Sequence, residues 1–175
     1  MKIVIKEKCE VIIERHPQFK SLNESLKKDY LQADFSESYK RSVQGKHSSY
    51  MTVSPNIDRV FEWVIRILKE THPHLMLMDL VPHSAWFSGY DKGDYTKLHA
   101  HHPRTFSFVY YIQCPKGSSP LVFPTSGRKI KAEEGKILIF PGHVHHYVPK
   151  NKCVGRIALA GNLNARDSVD RKNDS

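Results

Sequence analysis

The histidines of this chain are concentrated in two short clusters. The first is Leu98-His99-Ala100-His101-His102 and the second is His143-Val144-His145-His146. Imidazole is a ligand that suits iron, zinc, copper and nickel in proteins. A His-x-His step within a strand places both rings on one face, because side chains alternate with period two. The two clusters therefore predict a metal site.

A lone arginine follows the second cluster. Arg156 stands in an apolar stretch, and a strand there would place Arg156, Ala158, Ala160 and Asn162 on one face. A buried guanidinium without a partner is costly, and the two alanines beside it leave space. This pattern predicts a cavity that holds an anion, although Arg156 would also suit an ordinary structural role. If residues 95–101 form a strand, Tyr95 shares the face of the histidines.

The elements that position these residues change in character near residue 74. Before it, two helices are predicted from apolar residues at helical spacing, one starting near Pro17 and one capped by Ser54 and ending at His72-Pro73. After it, turn residues separate short β-rich runs. We expect strands at residues 75–80, 84–90, 95–101, 106–112, 121–123, 128–131, 137–140, 145–148 and 155–162. Many short, closely spaced strands predict a barrel or sandwich.

The remaining segments complete one predicted structural domain. We expect an N-terminal helical support region over residues 1–73, a β core over 74–164 and a polar tail over 165–175. A short strand is expected at residues 3–5 or 11–13, and residues 34–52 are expected to form a loop. The three cysteines, Cys9, Cys114 and Cys153, are odd in number and widely spaced, which favours buried thiols in a reducing compartment.

Composition limits the classes of partner. The net charge of +9 comes from 27 basic and 18 acidic residues, and it attracts anionic partners. The lysines are scattered without a basic tract or an aromatic platform, so a nucleic-acid substrate is the less favoured reading. No signal-peptide core and no run of transmembrane length is visible. We therefore expect a cytoplasmic protein with no membrane partner.

Several motifs, taken together, resemble the iron(II)- and 2-oxoglutarate-dependent oxygenases. They lie between residues 75 and 163 and are most similar to the small prolyl-4-hydroxylase-like group found in phages and marine bacteria. The motifs are Gly93-Asp94-Tyr95, His99-Ala100-His101, Ser107-Phe108-Val109-Tyr110-Tyr111, Gly135-Lys136-Ile137-Leu138-Ile139-Phe140-Pro141, His146, Val148-Pro149 and Arg156-Ile157-Ala158-Leu159-Ala160-Gly161-Asn162. This resemblance implies a mainly β fold with N-terminal helices, built around a double-stranded β-helix (jelly roll) barrel.

The resemblance also implies roles for individual residues. His99 would be the first iron ligand, His146 the distal ligand, and Arg156 would bind the C5 carboxylate of 2-oxoglutarate. Arginine suits that role because its planar fork matches a carboxylate. Further contacts to the cofactor would come from Tyr95 or Tyr110, and from Asn162. The implied reaction is hydroxylation, with a protein side chain, foremost a prolyl residue, as the leading substrate and a small molecule as the other choice.

The chain departs from the family at the second ligand. The usual pattern is His-x-Asp or His-x-Glu, which completes a triad of two histidines and one carboxylate, whereas this chain has His101. Either three histidines bind the iron, which leaves the site one positive charge higher, or His101 is not a ligand. His102, His143 and His145 are expected to be surface residues or neighbours of the ligands.

Two other classes remain open on the sequence. A cupin shares the barrel, and its motif openings match around His99-x-His101 and from Gly135 to His146, but its metal-binding glutamate is absent after His101. A cupin would also leave Arg156 unexplained. The second class is a catalytically inactive barrel that serves as a binding module with a basic surface.

Overall fold

The chain folds into two antiparallel sheets, with two helices against the outer face of the larger sheet. The computed structural model describes residues 8–35 and 42–167. In chain order the elements are β1 Ile12–Arg15, α1 Phe19–Gln32, β2 Val43–Gln44, β3 Lys46–His47, α2 Pro55–Thr71, a 3-10 helix Pro73–Leu77, β4 Met78–Tyr90, β5 Tyr95–His99, β6 Phe106–Gln113, β7 Leu121–Phe123, β8 Arg128–Ile130, β9 Lys136–Pro141, β10 His146–Val148 and β11 Arg156–Asp167.

The strand order is that of a jelly roll. The six-stranded sheet has the order β1-β9-β6-β11-β4-β3, and the five-stranded sheet has the order β2-β5-β10-β7-β8. Neighbouring strands in each sheet are mostly far apart in sequence, and they run antiparallel. This topology confirms the predicted mainly β fold with N-terminal helices and a double-stranded β-helix core.

The two helices form where the apolar spacing predicted them. In α2 the Ser54 hydroxyl accepts a hydrogen bond from the Ile57 amide at 3.2 Å, and Pro55 occupies the first helical position. The helix ends at Thr71, one residue before His72, whose backbone is restricted by the following proline. Helix α1 is attached to the larger sheet by Asn23, whose side-chain amide donates to the Ile112 carbonyl at 2.7 Å.

Alternation along the strands divides the buried residues into two layers. Phe108, Tyr110 and Ile112 of β6 face the helices, together with Ile157 and Leu159 of β11. The opposite faces of the same strands point between the two sheets. That inner layer contains Tyr111 of β6 and Ala158 of β11, along with residues of the smaller sheet. The space between the sheets is therefore where inward-pointing polar side chains of β11 must lie.

Several predicted boundaries were wrong. The two strands expected at 75–80 and 84–90 are one strand, β4, preceded by a 3-10 helix. Pro82 lies within β4, opposite Leu163 and next to a bulge in which His83 is the extra residue of β4, a place where proline is tolerated.

Strand β11 continues to Asp167, so residues 165–167 are not a loose tail. The expected loop at 34–52 contains β2 and β3. The strand considered at 3–5 lies outside the described residues, whereas β1 overlaps the alternative at 11–13.

All three cysteines are free thiols, as expected. Cys9 is exposed, so the prediction that it is buried was wrong. Neither α1 nor α2 is long and apolar enough to cross a lipid bilayer, a finding that covers residues 8–35 and 42–167.

Candidate metal and anion site

A cavity of about 220 Å³ lies between the two sheets. Four histidines and Arg156 line it, and small or aromatic side chains form much of the remaining wall. Sites that take drug-sized ligands usually enclose roughly 300–1,000 Å³. The cavity is therefore suited to a small molecule or to one end of a larger one.

His99, His101 and His146 form a compact cluster in this cavity. One ring nitrogen from each lies within 4.8 Å of the others. The ring centroids are 4.3 Å apart for His99 and His146, 4.9 Å for His99 and His101, and 5.2 Å for His101 and His146. Three converging imidazoles at this spacing form a site that suits a transition metal. The structure thus brings together all three residues that the sequence nominated as ligands.

Backbone carbonyls fix which nitrogen of two histidines faces the cluster. The Nδ1 of His99 lies 2.9 Å from the Lys97 carbonyl oxygen, and the Nδ1 of His146 lies 2.9 Å from the Val144 carbonyl oxygen. A carbonyl can only accept, so each Nδ1 carries the proton and donates it. The Nε2 atoms of His99 and His146 are therefore free to coordinate, which is the arrangement that orients histidine ligands in metal sites.

His99 and His146 oppose each other directly in the pairing of β5 with β10. The register shifts between this pair and the next, Val148 with Thr96. The shift leaves two residues of β5 opposite one residue of β10, which is the pattern of a bulge. As a consequence Thr96 and His99 both line the cavity, while Lys97 and Leu98 are exposed.

His101 reaches the cluster from a loop and not from a strand. Strand β5 ends at His99, so the alternation argument that paired the two histidines on one strand face was wrong, although the rings do converge. The His101 amide donates to the Gly142 carbonyl at 2.7 Å, and the Gly142 amide donates to the Thr105 carbonyl at 3.0 Å. A Cβ atom at Gly142 would collide with the Arg104 carbonyl oxygen. This close approach ties the His101 loop to the segment that leads into His146.

The three imidazoles are neutral at physiological pH. Burial lowers the pKa of His146 to about 3, and the nearby His99 contributes in the same direction. Burial lowers the pKa of His101 to about 4 and also depresses the pKa of His99. Histidines must be neutral to coordinate a metal. The cluster is therefore in the metal-binding protonation state without having to release protons.

Arg156 is buried in the same cavity without a charged partner among the described residues. Its side chain is 1% exposed, and the Nε and Nη1 atoms have no hydrogen-bond partner in the described part of the chain. The guanidinium carbon lies 4.4 Å from the centre of the Tyr90 ring and 5.4 Å from that of Tyr111. These aromatic faces stabilise the cation in part, but the unused donors still require an acceptor.

Among the described residues, a third buried polar atom without a hydrogen-bond partner belongs to Tyr111, whose ring lies beside Arg156. The Tyr111 hydroxyl is buried and has no hydrogen-bond partner among the described residues. Burial raises the pKa of Tyr111 to about 12 even though the neighbouring Arg156 acts in the opposite direction, so the hydroxyl keeps its proton. Unsatisfied buried polar groups are rare in folded proteins. The unpaired donors of Arg156, which lines the cavity, therefore indicate that an anion binds there.

Strand register separates the cavity into an anion end and a metal end. Arg156 pairs with Tyr90, whose hydroxyl lies 2.7 Å from the hydroxyl of Thr96. Thr96 and His99 face Val148 and His146 of β10, which are two residues apart, and this corresponds to about 7 Å along a strand. A molecule that touches both ends must therefore carry a polar group at each of its own ends.

Three residues nominated for cofactor contacts do not line the cavity. Tyr110 faces the helices, and its hydroxyl donates to the Asn23 side chain at 2.7 Å. Tyr95 precedes the β5 bulge and lies on the outside of the barrel, in a surface groove with Lys97. Asn162 is on the same strand as Arg156, but its amide is occupied by Ser107 and Ser84 at 2.8 and 3.1 Å. His102, His143 and His145 are exposed and lie outside the cluster, as expected.

An aromatic group lies next to the metal end, and two of its members, His47 and Tyr50, were missed by sequence reasoning. His47 stacks on Trp86 with ring centroids 5.7 Å apart and planes 13° apart, and Tyr50 packs against both rings. Trp86 in turn lies 5.7 Å from the His101 ring. His47 and Tyr50 fall in the segment for which the sequence predicts a loop, and the two-residue strands there are too short to show a periodic pattern.

Comparisons with known proteins show what this fold resembles. No protein-family model matches the sequence, and no curated protein matches it in sequence. Among solved structures, a viral collagen prolyl hydroxylase from Paramecium bursaria Chlorella virus-1, in complex with 2-oxoglutarate, is similar with a TM-score of 0.67 and 16% identity over 86% of this chain and 94% of that chain.

Two further structures agree with this likeness. A prolyl-4-hydroxylase from Pseudomonas putida has a TM-score of 0.67 and 16% identity over 89% of this chain and 92% of that chain. A prolyl hydroxylase from Trichoplax adhaerens, in complex with a peptide fragment of hypoxia-inducible factor, has a TM-score of 0.65 and 13% identity over 94% of this chain and 87% of that chain. The chain therefore has the fold seen in these oxygenases, over nearly its whole length.

Proposed function

We propose that this protein is an iron(II)- and 2-oxoglutarate-dependent dioxygenase that hydroxylates a side chain of a protein substrate. The observation that carries the proposal is the presence of Arg156, buried and without a charged partner among the described residues, in the same cavity as three converging histidines. A cation and a metal-binding cluster in one small cavity define a site for an anion that also ligates a metal. The fold likeness agrees with this assignment.

The histidine cluster fits iron(II). Imidazole nitrogen is a suitable ligand for iron, and the Nε2 atoms of His99 and His146 are left available by the backbone bonds to Nδ1. His101 supplies the third nitrogen in place of the carboxylate of the usual triad. We propose that all three histidines hold the metal.

The opposite end of the cavity fits a carboxylate of 2-oxoglutarate. The buried guanidinium of Arg156, whose Nε and Nη1 atoms have no hydrogen-bond partner among the described residues, is a planar fork that matches the two oxygens of a carboxylate. The Tyr111 ring lies 5.4 Å from the guanidinium carbon, and its hydroxyl has no hydrogen-bond partner among the described residues. We propose that Arg156 and Tyr111 bind the distal carboxylate, while the keto-acid end of the molecule lies at the histidines.

The protein's own residues have three tasks in this reaction. Together with O₂, bound iron and 2-oxoglutarate supply an oxidant that hydroxylates a C–H bond, with succinate and CO₂ as the other products. Arg156 and Tyr111 hold the cofactor in one orientation, and the histidines hold the metal. The apolar and aromatic lining, which includes Trp86 and Val148, limits the access of water to the site.

A protein substrate is supported by the solved structures of similar fold. One of them is a collagen prolyl hydroxylase, and another is a prolyl hydroxylase bound to a peptide fragment. The aromatic group of His47, Tyr50 and Trp86 lines the cavity next to His101 and provides an apolar surface for a ring such as that of proline. We therefore propose a prolyl side chain as the leading candidate.

The test of this function is a pair of measurements on the purified chain. Isothermal titration with 2-oxoglutarate, in the presence of the redox-inert ion Zn²⁺, should show binding that disappears when the metal is omitted. Iron(II)-loaded protein should then form succinate from 2-oxoglutarate only when O₂ is present. Binding without metal, or no binding at all, would favour a cupin or a binding module instead.

The two adjacent tyrosines provide a matched prediction. Tyr111→Phe should weaken 2-oxoglutarate binding by about 1 kcal/mol, because one hydrogen bond to the cofactor is lost. Tyr110→Phe should leave cofactor binding unchanged but lower the free energy of unfolding by about 1 kcal/mol, because the Asn23 side-chain oxygen loses its buried donor. Calorimetric titration and urea unfolding of both variants measure these effects. A loss of cofactor binding in the Tyr110 variant alone would reverse the assignment.

A further inference from the structure

The cavity has positive charge but no negative charge of its own. Among the described residues that line it, Arg156 is the only side chain that carries a charge at neutral pH, and none is an aspartate or glutamate. The two aspartates that precede β5 accept hydrogen bonds from backbone amides outside the cavity. Asp94 accepts a hydrogen bond from the Asp91 amide at 2.8 Å, and Asp91 accepts one from the Gly155 amide at 2.9 Å. Both stabilise turns outside the cavity.

This charge balance changes when the ligands of the proposed function are present. A divalent metal and Arg156 together bring three positive charges, and 2-oxoglutarate brings two negative charges. In the usual triad a carboxylate ligand supplies the remaining negative charge, so the filled site is neutral. With His101 in that position, one positive charge remains uncompensated in a site enclosed between two sheets. An unpaired charge in such surroundings is costly.

We infer that the cavity binds, besides the dicarboxylate, one further monoanionic group beside the three histidines. This inference rests on the proposed function, since it counts the charges of the metal and of 2-oxoglutarate. The anion would take over the electrostatic role of the missing carboxylate, and the nearest charge that attracts it is the metal itself. Ala100 and Ala160 line the cavity together with the histidines, and their short side chains leave space for such a group.

Two sources of a monoanion share this chemistry. One is a free inorganic ion such as a halide, and the other is a carboxylate carried by the substrate. Small probes distinguish them: chloride and azide represent the first source, and formate and acetate represent the second. Preference for the carboxylates by the parent protein would indicate an anionic substrate, and preference for chloride or azide would indicate a free ion as a co-ligand.

The experiment uses the full chain loaded with Co²⁺, whose visible absorption reports on its ligands. Each anion is added with and without 2-oxoglutarate, and perchlorate keeps the ionic strength constant. We expect the parent protein to bind at least one of the four anions with a change in the cobalt spectrum. His101→Asp should weaken that binding tenfold or more, because it places a negative charge next to the metal. His101→Asn, which has nearly the same shape but no charge, should bind the anion as the parent does.

Each outcome bears on a separate claim. If the parent spectrum responds to 2-oxoglutarate but to none of the anions, the monoanion site does not exist. Equal anion affinity in the Asp and Asn variants would also overturn the inference, because charge would not control binding. If the parent does not respond to 2-oxoglutarate, the proposed function fails. Metal content is measured for every variant, and His101→Gln replaces the Asn variant if the latter does not retain cobalt.

Discussion

Replacing His146 by alanine is expected to abolish binding of a divalent metal. His146 is 3% exposed, and its ring centroid lies 4.3 Å from that of His99 and 5.2 Å from that of His101. Loss of an outer partner of a metal ligand already weakens affinity by roughly 10- to 100-fold. Loss of a ligand itself should therefore weaken affinity by more than about 100-fold. Metal content after equilibrium dialysis against Fe²⁺ or Co²⁺ measures the change.

The neighbouring histidines supply the control. His143 and His145 precede His146 in the same segment, but they are exposed and lie outside the cluster. Alanine at either position should leave metal content unchanged, while His99→Ala should behave like His146→Ala. Retention of a full metal complement by the His146 variant would mean that the metal lies elsewhere. Loss of metal in the His145 variant would show that the exposed histidines contribute to binding.

Elements with strong local signals could be predicted from the sequence. The apolar stripe of α2 is bounded by a Ser-Pro start and a His-Pro end, and the structure has a helix between these signals. Strand β4 was divided incorrectly at residues 81–83, a segment that includes Pro82. The strand continues through this segment because a bulge, with His83 as the extra residue of β4, accommodates the proline. Register shifts of this kind depend on the partner strand, which local sequence does not specify.

The geometry of the site also depends on contacts that local sequence does not specify. The three histidines could be predicted because their spacing is unusual, but a shared strand face for His99 and His101 requires regular alternation through residue 101. A bulge and the end of β5 break that alternation, and hydrogen bonds to Gly142 bring His101 into place. The family resemblance nominated Tyr110 and not its neighbour Tyr111. Which of the two faces the space between the sheets depends on which face of β6 packs against α1, and local sequence does not specify that face.

Arg156→Ala should remove most of the affinity for 2-oxoglutarate while leaving the folded chain intact. A bidentate, charge-assisted contact in a buried site is worth about 2 kcal/mol or more, which corresponds to about a 30-fold weaker dissociation constant. Arg156→Lys should restore this only in part, because an ammonium group lacks the planar fork. Calorimetric titration of metal-loaded protein measures both variants.

Unfolding of the ligand-free protein separates this role from a structural one. Nε and Nη1 of Arg156 have no hydrogen-bond partner among the described residues. Removing a buried cation whose donors are unsatisfied relieves a desolvation cost, and this offsets the packing lost against Tyr90 and Tyr111. The free energy of unfolding of Arg156→Ala without ligand should therefore stay within about 1 kcal/mol of the parent value. A structural arginine gives the opposite pattern, in which stability falls by several kcal/mol and the refolded variant still binds 2-oxoglutarate. The pair of measurements thus decides whether the buried charge serves the fold or the cofactor.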